Sequence, residues 1–305
     1  MTTTSRWACG RWRRGSVLTL ALILSGCNVA NKTFEIGGYS YSTDRFEQWK
    51  LPRSLREISG LAGSADGRLF AHADERAVIH QIDYRSGKRL KTFSLSHRSA
   101  QSSAKADKAI KGDFEGIAVV GEQLYLVTSK GTLFTARLGA DESSVSPQSY
   151  KTGLGDRCEI EGLAYHADRH VLLMACKAVR DPQLDGHVVI FQWSLDLQTL
   201  LIDQTIKIPL AALAASLQQS ADKPKFNSSG ITVSPRNGNL LLVAARQKAM
   251  LEVTLGGEIV SVFTLPMQRY HRQPEGIALF ADGTLLLADE GGNKRGRLGV
   301  YRAVE

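Results

Sequence analysis

Apolar residues fall along this chain in short runs, each closed by a turn and answered by a second run. One phrase opens the unit. Asp113-Phe114-Glu115-Gly116-Ile117-Ala118 returns as Glu159-Ile160-Glu161-Gly162-Leu163-Ala164 and as Gln273-Pro274-Glu275-Gly276-Ile277-Ala278. Weaker copies are Glu57-Ile58-Ser59-Gly60-Leu61-Ala62 and Asn227-Ser228-Ser229-Gly230-Ile231-Thr232. The turns Ala65-Asp66-Gly67 and Ala281-Asp282-Gly283 put Asp-Gly between β-prone runs, which is a hairpin signal. The phrase glycines at 60, 116, 162, 230 and 276 stand 56, 46, 68 and 46 residues apart. Self-similarity at that period marks a repeat architecture.

Third strands are predicted at Ala77–Asp83, Thr132–Leu138, His187–Trp193, Ala249–Leu255 and Leu298–Ala303, and fourth strands at Lys91–Leu95 and Ile259–Phe263. Four antiparallel strands per unit predict an all-β fold, a β-propeller of four-stranded blades. Five repeats are countable, and the irregular sequence between them leaves room for a sixth. The last repeat ends after three strands. Tyr39–Leu51, with Tyr39, Tyr41, Phe46 and Trp49, carries no phrase and is predicted to supply the missing outer strand, which removes an open sheet edge. Two insertions explain the long steps. Ser96–Gly112 is rich in Ser, Ala and Lys and reads as a loop; Pro209–Gln219 reads as a short helix with Leu210, Leu213, Ala214 and Leu217 on one face.

The first residues do not belong to this pattern. Arg6, Arg11, Arg13 and Arg14 precede an apolar stretch, Val17–Leu24, that is too short to span a bilayer as a helix. Leu24-Ser25-Gly26-Cys27 looks like a bacterial lipobox, with Cys27 as the lipid attachment site; a secretory signal cut nearby is the alternative. Residues 1–26 are therefore expected to be a lipoprotein signal peptide, 27–44 the lipidated cysteine and a tether, and 45–305 the propeller. Acyl chains, at about 0.8 kcal/mol per buried CH₂, would hold the protein on a membrane. By the sorting pattern of lipoproteins, Asn28 favours the outer membrane over the inner. The expected location is the bacterial envelope, facing the periplasm.

That leader changes the charge and the cysteine count. Taking its four arginines from the 38 basic residues leaves 34 against 30 acidic ones. This is not the signature of a nucleic-acid binder. Cys9 leaves with the leader and Cys27 carries lipid. Cys158 and Cys176 flank the first hairpin of the third repeat, where antiparallel pairing brings them together. A disulfide fits an oxidising compartment; two reduced thiols are the alternative.

Stacking the repeats gathers the acids into tiers. One tier is Ser59, Glu115, Glu161, Ser229 and Glu275; two residues earlier lies another of Glu57, Asp113, Glu159, Asn227 and Gln273. Carboxylates around one axis repel unless a cation or a base compensates. Oxygen-only ligation is the preference of Ca²⁺, so Glu115, Glu161, Glu275, Glu57, Asp113 and Glu159 are candidate metal ligands. Acids that bond backbone amides or face solvent are the alternative. Second strands run back to the same mouth and end in Asp74-Glu75, Ser129-Lys130, Cys176-Lys177, Arg246-Gln247 and Asp289-Glu290. Asp74, Lys130, Lys177, Arg246, Asp289 and Glu290 are thus candidate contacts for a polar or phosphorylated ligand, or else partners in salt bridges among themselves.

The block Asp113–Ala118 with Tyr125-Leu126-Val127-Thr128, and the block Gln273–Ala278 with Ala288-Asp289-Glu290, resemble the SdiA-regulated family, the YjiK-like β-propeller proteins that include a calcium-regulated member. The likeness covers roughly residues 45–305. It implies a periplasmic or membrane-anchored propeller without an established reaction, and divalent cation binding. Ser59 and Ser229 depart from the acidic pattern and leave any acidic ring incomplete.

Three function classes follow. The first is a binding propeller for a small polar ligand or an envelope protein, with Ca²⁺ at the channel mouth. The second is a Ca²⁺-dependent hydrolase of phytase-like or lactonase-like chemistry. The third is an envelope scaffold. The sequence holds no Ser-His-Asp arrangement, no nucleophile elbow and no metal-binding His pair; His72, His80, His97, His166, His170, His187 and His271 are scattered. Binding is therefore placed ahead of catalysis.

Overall fold

Each phrase folds as the innermost strand of a blade. The computed structural model describes residues 33–97, 108–220 and 222–304. Blade 1 runs outward through Ile58–Gly63, Leu69–Ala73, Val78–Asp83 and Lys88–Leu95. Blade 2 is Phe114–Val120, Gln123–Thr128, Thr132–Arg137 and Gln148–Lys151. Blade 3 is Cys158–His166, Val171–Val179 and His187–Ser194, with Thr199–Leu200 and Ile206–Pro209 sharing its outer edge. Blade 4 is Gly230–Val233, Leu240–Ala244, Ala249–Val253 and Ile259–Thr264. Blade 5 is Pro274–Leu279, Leu285–Asp289 and Arg297–Tyr301, completed by Glu47–Lys50 from the start of the chain.

The phrase glycine exists because inner strands crowd at the axis. A Cβ on Gly116 would lie 2.6 Å from Leu163 N in blade 3, and one on Gly276 would lie 3.1 Å from Leu61 N in blade 1. The second of these contacts closes the ring from the last blade to the first. Apolar residues fill the wedges between neighbouring blades. Phe70, Phe93, Phe114 and Leu126 fill the wedge between blades 1 and 2, and Leu61, Leu69, Leu286 and Leu298 that between blades 5 and 1. Each buried side chain of this size contributes about 1.5–3 kcal/mol.

A sixth sheet exists, but it does not enter the ring. Thr33–Ile36, Tyr39–Ser42 and Ala303–Val304 form three strands whose Ile36 and Tyr41 pack with Leu241, Leu279 and Tyr301 of blades 4 and 5. Among the described residues the fold is thus an all-β propeller of six sheets, five radial and one covering. Over its described part, 33–44, the expected tether is corrected: it is a hairpin and a 3₁₀ turn, because Ile36 and Tyr41 find apolar partners there. The expected helix at 209–219 is a 3₁₀ turn, Leu210–Leu213, followed by turns. Its apolar face was read correctly, since Leu213 and Leu217 are buried against blades 3 and 4. Its i→i−4 bond, Leu217 N to Leu213 O, is not repeated in the following turns, so the run does not wind on as an α-helix. The loop at 96–112 is tied at its far end, where Ile110 N donates to Leu95 O; residues 98–107 lie outside the described residues, as do the leader and Cys27. Among the described residues no helix is long and apolar enough to cross a membrane.

Candidate functional site

The phrase acids do not follow the alternation of an ordinary strand. Strand pairing slips between Ile58 and Gly60, between Phe114 and Gly116, and between Pro274 and Gly276, so that Ser59, Glu115 and Glu275 sit on β-bulges. In blade 3 the slip spans Ile160 to Leu163 and includes Glu161. A bulge leaves its extra residue unpaired and re-aims the side chain. Here it turns one residue from each of these four blades toward the channel mouth; blade 4, with Ser229, pairs without a slip.

These side chains meet across blades. Ser59 Oγ of blade 1 donates to Glu115 Oε2 of blade 2 at 2.5 Å. Lys177 Nζ donates to Glu161 Oε1 at 2.8 Å and stands 3.7 Å from Glu159. Arg180 approaches Glu159 from the other side, also at 3.7 Å. Ser229 Oγ donates to Pro274 O at 2.6 Å, and Asn227 Nδ2 to Lys177 O at 3.0 Å. Among the tier residues, Asp113 is exposed and accepts from Ser129 Oγ, and Gln273 donates to Glu290.

Burial and mutual repulsion hold protons on this ring. Glu115 is pushed well above the usual carboxylate range, first by burial and then by the nearby Glu161. Burial also raises Glu161, against the pull of Lys177. Glu275 is pushed up to about 7 by burial, opposed by Gln273 and Lys177. Burial lowers Lys177, but Glu161, Glu159 and Glu275 outweigh it and hold the ammonium charged. Three carboxyls therefore share one ammonium, and protons make up the difference near neutral pH. A second acidic group lies between blades 5 and 1. There burial, then Glu57, raises Asp74, and burial, then Glu57 and Asp74, raises Glu290.

The expected ligand set is thus only partly assembled. Glu115, Glu161, Glu275, Glu159 and Lys177 converge; Glu57, Asp74 and Glu290 form a neighbouring cluster. Asp289 does not face the mouth. It is 2% exposed and accepts from His271 Nδ1 at 2.7 Å and Gln273 N at 3.1 Å. Lys130 and Arg246 are exposed at their strand ends, outside the cluster around Glu161. The acids do not form a ready cage for Ca²⁺: among the described residues, no group of three or more Asp, Glu, His and Cys is arranged to hold a metal ion. Ser59 and Lys177 occupy the oxygens that a cation would need. Cys158 and Cys176 are joined in a disulfide with Cα atoms 5.8 Å apart, which ties the start of the inner strand of blade 3 to the strand that carries Lys177.

Sequence reasoning missed the Ser59–Glu115 bond. Its signal was present, because the serine departs from the acidic pattern in the blade next to a glutamate. It also missed the buried relay of blade 5, in which His271 bonds Asp289 through Nδ1 and Tyr301 OH through Nε2, each at 2.7 Å.

Comparison with solved structures finds the same fold at low identity. A glutaminyl cyclase from Myxococcus xanthus superposes with a TM-score of 0.53 at 16% identity, over 85% of this chain and 96% of that one. A PQQ-bound aldose sugar dehydrogenase from Streptomyces coelicolor gives 0.50 at 14% identity, over 84% and 98%. Curated proteins yield no match. The sequence profile of the SdiA-regulated family matches residues 105–293, from the end of the 96–112 loop through Glu290 and so across four of the five phrases. This chain belongs to the SdiA-regulated family.

Proposed function

We propose that the chain is a binding propeller of the bacterial envelope, held on a membrane by lipid at Cys27 with its domain in the periplasm, and that its channel mouth receives a cationic group of a small polar ligand or an envelope protein. The observation that carries this reading is the imbalance at the axis: Glu115, Glu161 and Glu275 face one ammonium, Lys177. An incoming cation replaces the protons held there, so binding releases protons and strengthens as pH rises. Ca²⁺ is the inorganic cation to which the sequence points. It would have to draw Glu115 from Ser59 and Glu161 from Lys177, which sets it behind an organic ammonium.

Calorimetric titration with CaCl₂ and with putrescine, in two buffers of different ionisation enthalpy, tests the reading. Heat that depends on the buffer and is lost in Glu115→Gln/Glu275→Gln supports it. Buffer-independent heat, or equal binding by the variant, overturns it. The two solved neighbours are a cyclase and a dehydrogenase by name, so a phosphoester and lactone panel belongs beside the titration; turnover abolished by the same variant would replace binding with hydrolysis. Recovery of one stoichiometric envelope protein from solubilised membranes distinguishes a protein partner or scaffold role from a small ligand. Cys27→Ala should abolish palmitate labelling and release the chain from membranes; unchanged labelling removes the anchor from the proposal.

A further inference from the structure

A second site lies at the rim of the same face, where the outer parts of blade 5 meet the start of blade 1. Its cavity measures about 210 Å³ and is lined by Arg269, Arg272, Lys294, Arg295 and Arg297, with Gln48 and Tyr270. That volume is below the ~300 Å³ at which drug-sized pockets begin, so it suits one small charged group. Two carboxylates also border it. Asp289 is taken up by His271 and by Gln273 N, and Glu290 accepts from Gln273. Five cationic side chains therefore line the cavity against two carboxylates, an excess of positive charge.

The walls are built before any ligand arrives. Gln48 is pinned at both ends of its amide: Nε2 donates to Tyr270 O at 3.1 Å, and Oε1 accepts from Arg297 Nη1 at 3.1 Å. Arg295 Nε donates to Leu51 O at 2.6 Å, and Arg269 lies over the Tyr270 ring at 4.7 Å. Between Arg269 and Arg272 the chain is clamped from inside. His271 is fully buried between Asp289 and Tyr301, while Lys248 Nζ donates to the carbonyls of His271 and Arg272. The arginines thus start from a fixed backbone, and less ordering is left for binding to supply. Planar guanidinium forks match phosphate oxygens in pairs.

A larger cavity of about 480 Å³ shares Lys294 and Arg295 as lining and adds Arg53, Ser54, Arg56, Glu57 and Asn293, with Glu57 paired to Arg56 at 2.6 Å. Its hydroxyl and amide groups suit a polyol more than an apolar tail. We infer that the adjoining cavities bind a phosphorylated polyol, with the phosphate between Arg269, Arg272 and Lys294 and the polyol toward Ser54 and Asn293. A phosphoglycerol lipid headgroup and a free sugar phosphate share this chemistry. The site is separate from the acidic mouth and does not depend on what the mouth binds.

The test uses the full chain with glycerol 3-phosphate in a calorimeter, and flotation with phosphatidylcholine vesicles with or without phosphatidylglycerol. Arg269, Arg272 and Lys294 are exposed, so Arg269→Gln/Arg272→Gln/Lys294→Gln leaves the core alone. The triple variant should lose at least about tenfold in affinity for the probe that wild type binds. Lys294→Gln alone should lose several-fold, and it stands in if the triple variant fails to fold. A charge-matched control, Lys88→Gln/Arg89→Gln/Arg137→Gln, should bind as wild type. Binding of the free phosphate alone identifies a soluble ligand; binding only to phosphatidylglycerol vesicles identifies a headgroup. No binding in either arm overturns the inference, as does an equal loss in the control variant.

Discussion

The acidic mouth and the basic rim lie on one face of the propeller but are made in opposite ways. The mouth draws on one repeat position, read once in each blade, and a slip in strand pairing carries four of the five copies to the axis. The rim draws on residues outside the repeat: a loop at 269–272, a turn at 291–295, an outer strand at 297 and the early strand Glu47–Lys50. Their charge states differ as well. The mouth buries its carboxyls and so must hold protons or share Lys177; the rim leaves its bases exposed and needs neither. A site at the axis is therefore bound up with the stability of the ring, and a site at the rim can change charge with little cost to the fold.

The heaviest blow to both is the loss of residues 33–51. The rim loses Gln48 and the Leu51 carbonyl, and blade 5 loses its outer strand. The wedge of blades 4 and 5 loses Ile36 and Tyr41. With an open edge and that much apolar surface uncovered, the deletion should have no cooperative melting transition; a sharp transition at the wild-type temperature would contradict this closure. Next in size is the disulfide. Cys158→Ser/Cys176→Ser opens a loop of 18 residues, and the variant should lose about 3 kcal/mol in urea unfolding.

Lys177→Met separates mouth from rim. It leaves Glu161, 5% exposed, without its partner, and at pH 8 should cost about 3 kcal/mol. Adding Glu161→Gln should return most of that loss. By contrast, Arg272→Gln/Lys294→Gln at the rim should stay within about 0.5 kcal/mol of wild type. Equal costs at the two sites would erase the distinction between them.

The same contrast explains what could be read from the sequence. The repeat phrase placed all five inner strands and the tier of Glu115, Glu161 and Glu275, because each rests on a local pattern copied several times; the closing strand, found at 47–50, followed from a last repeat one strand short and a β-prone stretch that carries no phrase. The Cys158–Cys176 pair followed from hairpin geometry. The order of approach across the mouth was not legible, since whether Glu115 faces Ser59, Lys177 or a metal depends on blade spacing. Asp289 was placed at the mouth by analogy with neighbouring strand ends, yet His271, from outside the repeat, draws it inward. The rim was invisible for the same reason: Gln48 and Arg297 are 249 residues apart, and no periodicity joins them.

The finest test concerns protons. Glu275 rises from an ordinary 4.5 to about 7 on folding, and Glu115 also rises. Between those values the folded state holds protons that the unfolded chain has released. The stability they contribute is complete below about 4.5 and is lost as pH rises through the folded value. The buried His72 and His80 work the other way, both lowered from 6.5 to about 4, chiefly by burial. Their contribution is complete above 6.5 and is lost as pH falls toward 4. Wild-type Tm should therefore peak in mildly acidic buffer and fall a few degrees by pH 9, at about 2–4 °C per kcal/mol for a chain of this size. Glu115→Gln/Glu275→Gln should flatten the alkaline limb and leave the acidic limb in place, because Gln keeps the shape and carries no titrating proton. Parallel curves for wild type and variant would mean that these carboxyls titrate as they do in the unfolded chain, and that the mouth is as solvated as the rim.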